Sequence, residues 1–255
     1  MFPLGVVRRK RLINTCYYIK EISAKTGVKA GTIRFYERIG FLEPVERMPN
    51  QYRVFNEHHI YQIQVCSLVF GGYVNTRLRK ISMNIIAAAK DWDLEAYDKA
   101  AQNYLQAVEQ DITQTKKAVS IVTKKIDKDE NDEKKYSRKE AAELLGVTPE
   151  TIRSWERNRL LAQKEPYSRW RYQTYEIKRM YVIRFLLDTG YSCMAILRFL
   201  TAYDNGLNQK ATGFLLGIVE DAELQSRADR YLKSLIRART QADTLCHLLV
   251  DMKKI

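Results

Sequence analysis

The sequence predicts a mainly α-helical protein in which one small unit occurs twice, each copy followed by a long helix. Residues 17–42 align without a gap with residues 136–161, and 11 of the 26 columns are identical. Apolar residues recur at helical spacing through both copies, and two longer segments continue this spacing over about four heptads. The chain has 255 residues, which is enough for about two domains.

The chain is strongly basic. It has 43 Lys and Arg residues against 30 Asp and Glu residues, a formal net charge of +13. This excess favours a polyanionic partner such as nucleic acid or an anionic membrane surface, and the alternative is a basic but otherwise ordinary soluble protein. No apolar run approaches the ~18 residues that a membrane-spanning helix needs, and the N-terminal residues place apolar before basic side chains, the reverse of a secretory signal. We therefore expect a cytoplasmic protein without membrane contact, associated with the nucleoid if the polyanion is chromosomal DNA.

The first copy opens with two short helices separated by a glycine. Ile19 and Ile22 have helical spacing before Gly27, and Val28 and Ile33 restart an apolar stripe after it. Helix, short glycine-containing turn and helix is the pattern of a helix-turn-helix.

The second copy shows the same pattern with clearer helix ends. Ser137 is a good N-cap, and Glu140 three residues later completes a capping box. Gly146 suits a left-handed helix end, while Thr148 and Pro149 suit the N-cap and first position of the next helix.

A polar, turn-rich segment follows each helix pair, at residues 43–51 and 162–169. Each leads into aromatic and basic residues, at 52–55 and 170–172. A short β-hairpin, or wing, fits both segments.

Each copy then ends in a long amphipathic helix with apolar steps of three or four residues, which is the narrow seam of a coiled coil. The alternative is that these are two surface helices packed on separate cores. The predicted seam is Tyr97, Ala101, Leu105, Val108, Ile112, Thr115, Val119, Val122 and Ile126 in the first helix, and Ala228, Tyr231, Leu235, Ala238, Ala242, Leu245, Leu249 and Met252 in the second.

These elements divide the chain into six predicted segments. They are a basic N-terminal tail at 1–16, a first winged helix-turn-helix at 17–90, a long coiled-coil helix at 91–127, a charged linker at 128–135, a second winged helix-turn-helix at 136–205 and a C-terminal coiled-coil helix at 206–255.

The motifs of the first copy resemble the DNA-binding domain of MerR-type bacterial transcription regulators. They are Thr-Ile-Arg-Phe-Tyr-Glu-Arg at 32–38, Gly-Phe-Leu at 40–42 and a Tyr-Arg-x-Phe wing at 52–55. The second copy resembles the same domain over about 136–205, but Ser154 replaces an aromatic residue and Trp155 replaces a tyrosine.

The resemblance implies a sequence-specific regulator of transcription that binds double-stranded DNA. Such a protein distorts a promoter with an over-long spacer, so that RNA polymerase, an indirect partner, finds its elements aligned. It also implies an antiparallel coiled coil between two long helices, which the family forms in a homodimer. Here one chain contains both helices, so an intramolecular pseudo-dimer and a homodimer are both open.

The second helix of each pair is the expected reading helix, because an α-helix fits the major groove and its side chains then reach bases and phosphates. Along this helix Arg34 and Arg153 have an alternative, an ion pair with Glu37 or Glu156. The candidate DNA-binding residues are Tyr18, Lys29, Thr32, Arg34, Tyr36, Tyr52 and Arg53 in the first copy, and Thr148, Thr151, Arg153, Arg169 and Arg171 in the second.

Two further interpretations concern the tail and the packing positions. The basic run at residues 8–11 fits either a minor-groove arm or a solubilising tail. Ile33 and Ile152 are expected in the core, and Trp155 is expected to pack rather than to contact DNA.

The remaining chemistry-bearing residues predict no catalytic or metal site and no cofactor. Cys16, Cys66, Cys193 and Cys246 are far apart in sequence, without the spacing of a zinc site. No nucleophile–base set or phosphate-binding loop is present in the sequence, so we predict that the protein is not an enzyme. The alternative to a regulator is a DNA-architectural or chromosome-anchoring protein without an effector response. The sequence identifies no effector.

Overall fold

The computed structural model describes residues 16–72, 74–124, 134–161, 171–204 and 221–255, and helices dominate these residues. The mainly α-helical fold class is therefore confirmed. The helices are α1 (Ile19–Thr26), α2 (Ala30–Arg38), α3 (Glu57–Phe70), α4 (Thr76–Lys90), α5 (Leu94–Lys124), α6 (Arg138–Leu145), α7 (Pro149–Arg157), α8 (Thr174–Asp188), α9 (Cys193–Asp204) and α10 (Asp221–Met252), and the strands are β1 (Glu46–Arg47), β2 (Arg53–Val54), β3 (Lys135–Ser137) and β4 (Arg171–Gln173).

The chain folds as two compact units. The first unit contains residues 1–71, 80–102 and 241–255, and the second contains residues 72–79 and 103–240. Both long helices, α5 and α10, contribute residues to both units. The segments predicted above follow the order of the chain instead, and their boundaries stay a prediction.

The helix-turn-helix of the first unit is α1 and α2. Gly27 ends α1 at φ 68°, a left-handed conformation that glycine adopts without steric cost. Ile22 and Ile33 are fully buried, so each helix turns its apolar face to one core. The predicted helix, turn and helix are confirmed.

The first wing is an antiparallel pair of β1 and β2, with Arg47 opposite Arg53. Phe55, directly after β2, forms two backbone hydrogen bonds with Tyr17, at 2.8 and 2.9 Å. Asn56 then caps α3 by accepting from the backbone N–H of His59. The predicted first hairpin is confirmed, and Phe55 ties it to the start of the unit.

Within the first unit the start of α5 packs against the end of α10. The hydroxyl of Tyr97 donates to the backbone oxygen of Leu245 at 2.9 Å. Tyr97, Ala101 and Leu245 are all fully buried, so the two long helices contribute to the core of this unit.

The predicted caps of the second helix pair are confirmed. Ser137 accepts from the backbone N–H of Glu140, and the Glu140 carboxylate accepts from the backbone N–H of Ser137 at 2.6 Å. Gly146 ends α6 at φ 61°, and Thr148 caps α7 with Pro149 in its first turn. Ile152 is fully buried, and Trp155 is only 4% exposed, so both pack in the core as expected.

The second copy pairs its wing strand differently from a simple hairpin. β4 lies antiparallel to β3, with Tyr172 opposite Tyr136. Tyr136 aligns with Tyr17, which pairs with Phe55, so Tyr172 takes the place of Phe55. This pairing sets the register of the second wing. The hairpin predicted at 162–169 lies outside the described residues.

In the second unit α5 and α8 bind the end of α6. The last carbonyl groups of a helix have no partner within the helix. Gln114 Nε2 and the hydroxyl of Tyr181 each donate to the backbone oxygen of Leu144 at 3.1 Å, and Arg184 donates to that of Leu145. These bonds anchor the helix-turn-helix to α5.

The buried seam of α5 differs from the predicted one. Tyr104, Asp111 and Ala118 are buried, whereas Leu105, Ile112 and Val119, the predicted positions, are each partly exposed. The side chains of Val122 and Ile126 lie outside the described residues. In α10 the predicted seam is confirmed from Tyr231 to Met252, and the side chain of Ala228 is not described. The prediction for α5 was wrong at these three positions; Asp111 takes the place of Ile112 because Asn75, Arg77 and Arg184 compensate its buried charge.

Candidate DNA interface

The exposed face of α2 carries three of the seven residues predicted to bind DNA in the first copy. Lys29 at its N-cap is exposed, Thr32 is partly exposed, and Arg34 is exposed beside Phe35, which is 44% exposed. Arg38 lies over the ring of Phe35, 5.5 Å from its centroid. Because Ile33 faces the core, α2 presents a basic and aromatic surface to solvent.

Tyr36 lies on the opposite side of α2 from Arg34. It is 5% exposed, and its ring stacks on Phe70 with centroids 5.7 Å apart. Burial, and then the nearby Cys66, raise the pKa of the Tyr36 hydroxyl. The ring therefore fixes α2 on α3, and the phosphate contact predicted for its hydroxyl stays a prediction.

Glu37 joins the first wing to α2. Its carboxylate accepts from Arg53 Nε at 2.6 Å, and it lies 3.4 Å from Arg47 Nη2. The alternative pairing of Glu37 with Arg34 was therefore wrong, because the wing arginines occupy both carboxylate oxygens. Arg34 is left on the solvent side of the helix.

Two of the predicted tyrosines outside α2 are also exposed. Tyr52, at the end of the turn between β1 and β2, is 64% exposed. Tyr18, at the N-cap of α1, is 48% exposed, and its backbone N–H donates to the Glu21 carboxylate at 2.7 Å. Both rings are therefore accessible to a ligand.

In the second unit α7 exposes a different set of side chains. Thr148 caps the helix by accepting from the backbone N–H of Thr151 at 3.2 Å, and the two hydroxyls lie 2.9 Å apart. Arg153 is exposed, but its Nη1 lies 3.0 Å from the carboxylate of Glu150. Arg157 Nη1 lies 3.0 Å from the other oxygen of the same carboxylate. Hydrogen bonds from Arg153 and then Arg157 lower the pKa of Glu150.

Glu156 matches Glu37 in the alignment but has different partners. It is 7% exposed, and its carboxylate accepts from Arg138 Nη2 at 3.1 Å and from the Tyr172 hydroxyl. Burial, followed by the hydrogen bond to Glu156, raises the pKa of Tyr172. The alternative pairing of Glu156 with Arg153 was also wrong, since Glu156 is turned into the core.

The predicted contacts of the second wing are only partly described. Arg171, on β4 opposite Ser137, is exposed. Arg169 lies outside the described residues, as does the basic run at residues 8–11.

A buried polar cluster lies behind α7. The Asp111 carboxylate binds Arg77 Nη1 at 2.6 Å, Asn75 Nδ2 at 2.9 Å and Arg184. Arg184 in turn lies 3.4 Å from the Asp188 carboxylate. The cluster forms one side of a cavity of about 320 Å³ that is also lined by Thr151 and Trp155 of α7. Thr151 and Trp155 of α7 therefore line the same cavity as polar side chains of this cluster.

The sequence interpretation missed Glu150, Arg138 and Asp111. Glu150 carried a usable signal, because it stands three residues before Arg153 and seven before Arg157, on the same helix face. Arg138 and Asp111 carried none, because their partners are distant in the chain.

The described residues contain neither a metal-binding group nor a membrane-spanning helix. Within them, no cluster of three or more His, Cys, Asp or Glu residues has the geometry to hold a metal ion. In the same residues, every helix is too short or too polar to cross a bilayer.

Two models of one protein family match the chain. The model described as "MerR family regulatory protein" matches residues 18–55, which contain α1, α2 and the first wing. The model described as "MerR HTH family regulatory protein" matches residues 136–203, from β3 into α9. No curated protein and no solved structure matches the chain. The two matched segments overlap the two copies that the internal alignment pairs, over residues 18–42 and 136–161.

Proposed function

We propose that this chain, a DNA-binding transcription regulator with two tandem MerR-family domains, recognises two unlike half-sites on one DNA duplex. The observation that carries this proposal is the difference between the exposed faces of α2 and α7. Arg34 stands beside the exposed ring of Phe35, whereas Arg153 stands beside Ser154 and pairs with Glu150. A flat ring contacts the methyl group of thymine, while a serine hydroxyl forms hydrogen bonds with base edges. The two helices therefore favour different base sequences.

We propose that both domains bind one duplex from a single chain, as an intramolecular pseudo-dimer. Within the second unit Glu109 lies 3.2 Å from Arg239, and Asn75 joins Asp111 to Tyr231 with two bonds of 2.9 Å. As the residue number increases along α5, the number of the contacting residue on α10 decreases, so the two helices run antiparallel. Within the first unit Tyr97 contacts Leu245. These intrachain contacts support pairing without a second chain.

The mass in solution tests this assembly. One chain has a mass of 29.9 kDa, so a homodimer has twice that, 59.8 kDa. We expect light scattering to give the mass of one chain at all concentrations. A mass near that of the homodimer, maintained on dilution, contradicts the pseudo-dimer and favours two chains that present four domains.

The proposed action is distortion of promoter DNA. Bending or untwisting a site costs a few kcal/mol (about 1–6), and contacts on both flanks repay this cost. Two domains on one scaffold supply contacts on two flanks, and the aligned promoter elements then admit RNA polymerase. Such a protein is a non-enzymatic regulator that works on chromosomal DNA in the cytoplasm.

Binding of DNA is tested by replacing one arginine in each reading helix. On a site selected from a random duplex pool, we expect Arg34→Ala and Arg153→Ala each to weaken binding by about 1–3 kcal/mol. Arg230→Ala, an equal loss of charge at an exposed position of α10, is the matched control. If both reading-helix variants bind like the Arg230 variant, α2 and α7 are not the reading helices.

Transcription distinguishes the regulator from the DNA-architectural alternative. With a promoter recovered from genome-wide mapping of bound DNA, we expect the protein to change transcript level in a purified polymerase reaction. A uniform affinity for all duplexes, with no effect on transcription, supports the architectural protein instead.

A further inference from the structure

The second position of α7 is acidic, whereas the second position of α2 is a glycine. Glu150 on α7 aligns with Gly31 on α2, whereas the arginines that follow are the same in both copies, Arg34 and Arg38 against Arg153 and Arg157. A single carboxylate therefore stands on the exposed face of one reading helix and not on the other.

Glu150 holds both arginines of α7. Its two oxygens each lie 3.0 Å from one guanidinium, that of Arg153 and that of Arg157. All three side chains are more than half exposed. Exposed pairs of this kind are weak, so Glu150 competes with DNA phosphates for the two arginines, and an arginine that binds a phosphate must first leave the carboxylate. The carboxylate then remains at the DNA surface without its partners.

The first reading helix has no such restraint. Arg38 lies over the ring of Phe35, and in the described part of the chain neither Arg34 nor Arg38 pairs with a carboxylate. Ser154 replaces Phe35 in the second copy, so Arg157 has no equivalent ring and turns to Glu150 instead.

We propose that Glu150 is a specificity-determining residue that weakens phosphate binding by the second domain, so that the first domain anchors the protein on DNA. This inference rests on the proposed function, because it requires both helices to approach DNA. A carboxylate near phosphates is repelled unless a base donates a hydrogen bond to it, as cytosine N4 does in the major groove. The second half-site is therefore bound tightly only where its bases compensate Glu150.

The test exchanges the residues between the two copies in the full chain. The probe is a 40-base-pair duplex of random sequence, and the readout is fluorescence anisotropy over a series of salt concentrations. Glu150→Gln frees the arginines of α7. Each additional phosphate contact steepens the slope of log K against log salt by about 0.9, which corresponds to about eightfold in affinity at 0.1 M relative to 1 M salt. We expect every arginine that newly reaches a phosphate to tighten binding by about that factor and to steepen the salt dependence.

The reciprocal variant is Gly31→Glu. A Cβ atom built at Gly31 meets nothing within 4 Å, so a side chain can begin at this position without a clash. We expect weaker binding by a similar factor, because the new carboxylate stands three residues before Arg34 and seven before Arg38. A glutamate in the first turn interacts favourably with the helix dipole, and glycine is a poor helix residue. The thermal midpoint of the Gly31→Glu variant should therefore rise while its DNA affinity falls, a combination that a purely structural role does not produce.

Glu143→Gln is the matched control, because Glu143 is an exposed carboxylate on the neighbouring helix α6 and its replacement changes the net charge equally. Equal affinities for the Glu150→Gln and Glu143→Gln variants overturn this inference. If, in that case, the Arg34→Ala and Arg153→Ala variants still bind DNA more weakly than wild type, the proposed function stands without this inference. A wild-type chain that binds no duplex overturns both proposals.

Discussion

The guanidinium of Arg184 on α8 donates to the carboxylate of Asp111 on α5, at the place in the seam where the apolar pattern predicted Ile112. Asp111 is 1% exposed and the side chain of Arg184 is 9% exposed, so both charges are removed from water. Arg77 and Asn75 complete the coordination of the carboxylate. Arg184 also donates to the backbone oxygen of Leu145 at the end of α6, so it joins the second helix-turn-helix to α5.

Loss of Asp111 should destabilise the protein strongly. Asp111→Ala leaves Arg184 buried without its main partner, and removing one member of a buried pair costs about 3–5 kcal/mol. Glu109→Ala is the control, because its pair with Arg239 is about half exposed and such pairs contribute about 0–1 kcal/mol. Urea denaturation measures both. Equal losses for the two variants would show that Asp111 is not structurally important.

Asp188 should make the second unit less stable as the pH rises. Burial raises the pKa of its carboxyl to about 6, opposed by Arg184 and supported by Asp111. Because the folded state holds this proton more tightly than the unfolded state, the contribution to stability is complete below pH ~4 and is lost between about pH 4 and 6. The loss is on the order of 2–3 kcal/mol.

Asp188→Asn tests this contribution, since an amide has no proton to lose in this range. The difference in unfolding free energy between variant and wild type should grow in favour of the variant from pH 4 to 6 and be constant above. Asp204→Asn, at an exposed position of α9, controls for a general change of charge. If the difference in unfolding free energy does not vary with pH, a raised pKa of Asp188 is not the cause of the pH dependence.

His59 should make the first unit less stable as the pH falls. Burial lowers the pKa of its imidazole, partly opposed by Glu43. The unfolded chain therefore gains a proton at a higher pH than the folded chain does. The stabilising contribution is complete above pH ~6.5 and is lost as the pH falls through the folded pKa.

His59→Gln should reduce this acid sensitivity. Glutamine at the third position of α3 can still accept from the backbone N–H of Asn56, as His59 does at 3.1 Å. Thermal melts between pH 7 and 5 should show a smaller decrease for this variant than for wild type. His58→Gln, at a partly exposed position, is the comparison. If His58→Gln reduces the fall in melting temperature at low pH and His59→Gln does not, the hypothesis is wrong.

The aligned N-caps of α2 and α7 should separate stability from DNA binding. Thr148 accepts a hydrogen bond from the backbone of α7, so Thr148→Ala should cost ~1 kcal/mol of stability. Lys29 makes no side-chain bond to α2, so Lys29→Ala should leave stability nearly unchanged. It should instead reduce the salt slope of DNA binding by about 1, since the protein then neutralises one phosphate fewer. Denaturation and anisotropy on the same two variants check this, and the contrast is refuted if Lys29→Ala is the more destabilising change.

Local patterns were sufficient for the helix pairs and their caps. Ser137, Gly146 and Thr148 were predicted correctly because a cap depends on residues within one turn of the helix. The core positions Ile33 and Ile152 followed from helical periodicity alone. The first wing followed from its turn residues.

The partners of charged residues did not follow from local patterns. Glu37 and Glu156 align, yet one binds Arg53 on a wing and the other binds Arg138 and Tyr172 in the core. Helical spacing offered each glutamate an arginine three residues away, but a partner from another element was closer in the folded chain.

The sequence by itself determined that this protein has two copies of a helix-turn-helix pattern, with arginines at the same positions in the second helix of each copy. Both properties depend on residues that are three to seven positions apart, and helix geometry places such residues on the same face. Only the tertiary structure decided the buried seam of α5 and the register of the second wing. Asp111 and Arg184 are 73 residues apart, and a contact across that distance depends on how helices pack, because burial of a charge is favourable only when a partner reaches it.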